Sequence, residues 1–108
     1  MPAFIQIIEW STSRLDEVME LGRSRRDEMA EDGPVRLTVT AERDKPGRFL
    51  TIVEFPSYEA AMRTSHDPKT DEFARTMAEL CDGPPVFHDL DVVDTMIRTT
   101  GGEQRQKV

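Results

Sequence analysis

The 108-residue chain is poor in the residues that build most specialised sites: it has one cysteine, Cys81, two histidines, one tryptophan and one tyrosine. A single thiol excludes an internal disulfide framework and a Cys-rich zinc site, and it suits a reducing compartment. Cations are also in the minority, with 14 Lys and Arg against 21 Asp and Glu for a net charge of -7. That balance disfavours nucleic acid and anionic membranes, both of which need clustered positive charge. No stretch approaches the ~20 apolar residues that cross a bilayer. The opening run Phe4-Ile5-Gln6-Ile7-Ile8-Glu9 has no basic residues before it and is broken by Gln6 and Glu9, so it does not read as a signal peptide. A cytoplasmic protein is the expectation. Glycine-rich phosphate loops, dinucleotide fingerprints and closely spaced metal-ligand sets are missing too.

What remains is enough for one modest core, since 37% of the residues are apolar and five are Phe. Phe4 to Trp10 reads as a strand with Phe4, Ile8 and Trp10 on one side and Ile5 and Ile7 on the other. A strand apolar on both faces belongs inside a sheet. Ser11-Thr12-Ser13 can cap a helix from Ser13 to about Ala30, with Asp16 and Glu17 in its first turn and Arg23, Arg25 and Arg26 near its negative end. Gly33-Pro34 ends it. Val35, Leu37, Val39 and Ala41 then alternate with polar residues, and Asp44-Lys45-Pro46-Gly47 turns the chain into a second β-rich run, Arg48 to Phe55. There Phe49, Val53 and Phe55 oppose Leu50 and Ile52, so this strand is central as well.

Ser57 caps a short helix from Tyr58 to about Thr64, which Asp67-Pro68 interrupts. A second helical piece spans Thr70 to Cys81, its stripe being Phe73, Met77, Leu80 and Cys81. Asp82-Gly83-Pro84-Pro85 stops it, and Val86 to Val93 forms an edge strand. Residues 1–96 are therefore expected to be a single domain and 97–108 a disordered polar tail. The order βαββαβ is that of a ferredoxin-like α+β fold, an antiparallel four-stranded sheet with both helical regions on one face. The other face would expose the second apolar side of two central strands. A homodimer packed sheet to sheet is the expected remedy.

Three stretches resemble a known family: Glu54-Phe55-Pro56-Ser57-Tyr58-Glu59-Ala60-Ala61-Met62, Phe73 in the next helix, and Cys81-Asp82-Gly83-Pro84-Pro85 before Leu90-Asp91-Val92-Val93. With the element order, they are similar to the small dimeric α/β-barrel proteins of the antibiotic biosynthesis monooxygenase superfamily, over about residues 3 to 96. The resemblance implies a cavity between sheet and helices within each subunit. It also implies either cofactor-independent monooxygenation of a small aromatic substrate or, in members without assigned activity, none. The Asn, Trp and His known in the haem-degrading branch are replaced here by Gln6, by Met62 and Arg63, and by Phe73 and Ala74, so neither haem nor any other cofactor is expected.

Candidate chemistry is sparse. His66, at the break between the helical pieces, is the candidate general base, its plainer reading being an exposed loop histidine. Trp10 and Tyr58 could stack on an aromatic ligand, or simply fill the rim of the core. Arg36 could hold a ligand carboxylate or enolate, or pair with a surface acid. His88 could contact ligand or serve a dimer interface. No metal ligand set is expected. Two functions stay open: a cofactor-free monooxygenase, and a non-catalytic ligand-binding or structural dimer. A cavity of roughly 300 Å³ reached by at least two of His66, Tyr58, Trp10 and Arg36 would favour ligand chemistry.

Overall fold

The computed structural model describes residues 3–26 and 33–98. Within them the chain forms β1 (Phe4–Ser11), α1 (Leu15–Arg26), β2 (Arg36–Ala41), β3 (Arg48–Phe55), α2 (Tyr58–Ser65), α3 (Pro68–Leu80) and β4 (Val86–Asp91). The four strands make one antiparallel sheet in the order β2-β3-β1-β4. The ferredoxin-like α+β architecture is thus present, with the two doubly apolar strands in the middle, where both faces can be covered.

Register sorts the side chains. Phe4, Ile8 and Trp10 of β1 stand beside Phe55, Thr51 and Phe49 of β3 on the helix-covered face, because each lies opposite its partner across the β1–β3 ladder. Leu37 and Val39 extend that face from β2, and Phe87 from β4. The core sits here in two clusters. Phe4, Val53, Phe55 and Ala61 form one beneath α2, and Trp10, Val18 and Phe49 form the other beneath α1 and α3.

Local chemistry explains the junctions. The β2–β3 hairpin needs a left-handed residue, which Gly47 supplies at φ 83°, and its carbonyl accepts the Thr12 amide at 3.0 Å. Thr12 is buried; its hydroxyl accepts from the Arg14 amide at 2.9 Å and donates to the Leu80 carbonyl at 2.6 Å, joining the start of α1 to the end of α3. Ser57 caps α2 through a 3.1 Å bond from the Ala60 amide.

Three boundaries differ from the sequence reading. The helical hydrogen bonds of α1 begin at Arg14, with Leu15 as its first residue, since the Thr12 hydroxyl takes the Arg14 amide; whatever follows Arg26 up to Ala30 falls outside the described residues. Pro68 opens α3 instead of merely separating it from α2, because Asp67 caps the Lys69 amide at 2.9 Å and proline at the first position lacks only a donor that would go unused. And β4 ends at Asp91, although the Val92 amide still reaches the Ala3 carbonyl. The expected tail lies almost wholly outside the described residues.

Candidate functional site

A cavity of about 530 Å³ lies between the helix-covered face of the sheet and the helices. Its floor is Ile8, Trp10, Val39, Thr51 and Val53, and its roof is Val18, Met19 and Gly22 of α1 with Phe73 and Met77 of α3. The α3 stripe read from the sequence therefore faces inward without being buried: no α3 residue is fully covered, because the space opposite it is open. The Trp10 indole stacks on Phe49 with ring centroids 4.7 Å apart and donates its N–H to the Thr51 hydroxyl at 2.8 Å. One indole face is thereby held while the ring borders the cavity.

Polar groups enter from the ends. Gln6 donates to the Asp89 carboxylate at 2.9 Å across β1 and β4, and both line the cavity. Asp71, at the start of α3, borders it and faces Arg75 at 3.5 Å. The Cys81 thiol also borders it and stays protonated, since burial and the neighbouring Asp82 charge both raise its pKa. Arg25 and Arg26 of α1 border it as well, and of these charged groups only Arg25 is buried, at 9% exposed.

Of the five residues singled out from the sequence, Trp10 alone lines the cavity. His66 is exposed at the end of α2, where its backbone amide caps the helix by bonding the Met62 carbonyl. Tyr58 is 52% exposed and sets its ring edge against Phe4, 5.3 Å between centroids. Arg36 lies on the opposite face of the sheet, paired with Glu54 at 3.3 Å. His88 is on that face too, its Nε2 2.6 Å from Glu9, which also meets Arg48 at 3.4 Å. Strand alternation decides both cases: Arg36 and His88 have the parity of Ile7 and Ile52, whereas the cavity takes the parity of Trp10 and Val53. Met19 and Met77 border the cavity and Met62 packs against the Phe4 cluster. No group of three His, Cys, Asp or Glu that could hold a metal ion occurs among the described residues.

Sequence reasoning missed Arg25, Thr51 and Asp89 as cavity groups. Arg25 was legible only as a cation at a helix end. Its spacing of seven from Val18 and three from Gly22 was the signal that it shares their inward face.

Solved structures share this fold. The oxygenase SnoaB from Streptomyces nogalater, a cofactor-independent enzyme, superposes with a TM-score of 0.76 at 17% identity, covering 91% of this chain and 100% of that one. This is the fold of the antibiotic biosynthesis monooxygenases. A structure of one such monooxygenase gives a TM-score of 0.67 at 14% identity over 85% of this chain and 99% of its own. A dimeric ferredoxin-like protein from an uncultured marine organism gives 0.66 at 14% identity over 92% and 95%. No protein-family model and no curated protein matches the sequence. No described helix is long and apolar enough to cross a membrane.

Proposed function

We propose that this protein binds a small aromatic ligand in the cavity between sheet and helices, and that it oxygenates that ligand without a cofactor. The observation that carries the reading is the size and lining of the cavity; the expected convergence of at least two of His66, Tyr58, Trp10 and Arg36 on it is not met, since Trp10 alone reaches it. At about 530 Å³ it falls within the range of ligand pockets, and its walls are mostly aliphatic and aromatic, with a few polar groups at the ends. The likeness in fold to a cofactor-independent oxygenase supports the chemistry.

On this reading the substrate supplies the electrons. An activated ring methylene loses a proton, the resulting anion gives an electron to dioxygen, and the carbon ends as a carbonyl. One oxygen atom stays in the product and the other leaves as water with the two hydrogens. The protein's contribution is to stack the ring near Trp10 and hold the anion. Oxygen uptake with a panel of anthrones and quinols tests this. Uptake with none of them, while the same compounds bind, leaves the second reading: a binding protein without turnover. That reading is favoured by the state of the titratable lining, where the Cys81 thiol stays protonated, Asp71 faces Arg75 and Asp89 is hydrogen-bonded by Gln6.

The assembly proposed with it is a homodimer. The outer face of the sheet presents Ile5 and Ile7 of β1 and Leu50 and Ile52 of β3, half-buried, beside Leu90 and Val86 on β4. Glu9 with Arg48 and His88 closes one end of this strip and Arg36 with Glu54 the other. An apolar strip rimmed by charge is the pattern of a protein interface. Beyond β4, Val93, Met96 and Ile97 are also left exposed.

A further inference from the structure

Arg25 stands out among the groups around the cavity. It is 9% exposed, its Nη2 donates to the Thr70 hydroxyl at 2.7 Å, and its Nη1 is buried without an acceptor. Among the described residues it makes no ion pair, whereas Arg14, Arg36, Arg48 and Arg75 each have a carboxylate partner. A guanidinium cannot shed its proton to escape burial. A buried cation held by one neutral hydroxyl is costly, and folded proteins keep such groups where something else supplies the negative charge. The fold has nonetheless placed it on the inward face of α1, one turn after Gly22, where a side chain would meet nothing within 4 Å.

We infer that Arg25 anchors the ligand by its negative charge, so that the cavity takes an aromatic acid or a ring ionised on oxygen in preference to a neutral aromatic. Nη1 is closed to solvent as it stands, so the guanidinium must turn toward the cavity for the oxyanion to replace the missing acceptor with a charge-assisted bond. The apolar body lies along Trp10, Val18 and Met77, next to the open space at Gly22. Thr70 holds Nη2 from α3, which leaves the Nη1 donors for the ligand. This inference rests on the ligand-binding reading of the cavity and adds its specificity.

The test is calorimetric titration of the protein with naphthalene-2-carboxylate and with its neutral counterpart 2-naphthylmethanol. The wild type is expected to bind the acid about tenfold or more tightly than the alcohol, a preference that falls as salt is raised. Arg25→Met is expected to remove the preference by weakening the acid more than the alcohol, because Met keeps the length of the stem and drops the charge. Equal binding of both probes by the wild type, or an acid preference that survives Arg25→Met, overturns the inference while the cavity reading stands. Gly22→Leu fills the cavity without touching the charge, so it should weaken both probes together. If neither probe binds, or if Gly22→Leu changes neither affinity, the inference and the cavity reading both fall. Should Arg25→Met not fold, the thermal shift of the wild type decides: naphthalene-2-carboxylate must raise the melting temperature more than equimolar 2-naphthylmethanol, and an equal rise overturns the inference.

Discussion

The Trp10 indole N–H points across the sheet into the Thr51 hydroxyl, 2.8 Å away, so the lone tryptophan is tied from β1 to β3 while its ring borders the cavity. The residue that reports on the cavity is therefore also part of the sheet's internal bonding.

Thr51→Val keeps the side-chain shape and removes the acceptor. A buried N–H left without a partner costs ~1–3 kcal/mol. Chemical denaturation followed by tryptophan fluorescence should show a loss of that size; a midpoint equal to wild type would mean that water replaces the hydroxyl.

Phe49→Ala removes the ring stacked on Trp10 from a buried cluster. Truncations of this kind cost ~3–5 kcal/mol. The cavity lies beside this cluster, so partial collapse would bring the measured value to the lower end, and the same unfolding experiment reads it.

Cys81 gives the alkaline limb. Its folded pKa is raised by burial and by Asp82, so the thiol's contribution to stability is whole below the unfolded thiol pKa and is lost as pH rises through the folded value. Cys81→Ala should flatten the decline in stability on the alkaline side, and thiol-reagent labelling of the native protein should stay slow at neutral pH. Fast labelling there would contradict the assignment.

Outer-face packing predicts assembly. Sedimentation at micromolar concentration should give twice the 12.3 kDa chain mass, and Ile7→Glu or Ile52→Glu should yield the monomer. A monodisperse 12.3 kDa wild type would remove the homodimer.

His66 can be separated from the chemistry by one variant. If the protein oxygenates an anthrone or quinol, His66→Ala should retain the rate within about twofold, since the side chain is exposed and outside the lining. A general base contributes ~10²–10⁴-fold. A loss of that order would return His66 to the mechanism.

Much of the fold could be read along the chain because its signals are local. Alternation in Val35 to Ala41, the double apolar faces of Phe4 to Trp10 and Arg48 to Phe55, and the stops at Gly33-Pro34 and Gly83-Pro84-Pro85 each depend on neighbours a few residues apart. The site was less legible. His66, Tyr58, Arg36 and His88 were chosen as residue types able to do chemistry, and type says nothing about which side of a sheet or which end of a helix a group occupies.

By itself, then, the sequence determined the order of elements, which strands are central, and that both sides of the sheet would be apolar. These follow from periodicity, capping and turn chemistry, all short-range. Only the tertiary structure decided that α1 and α3 stand off the sheet far enough to leave about 530 Å³ between them, that Trp10 borders that space, and that Arg25 is shut in beside it with one nitrogen unmatched. Those features depend on the separation of layers and on residues 45 positions apart, such as Arg25 and Thr70, meeting across it. No local rule encodes such a distance, because the gap between packed layers is set by all the side chains that prop them apart.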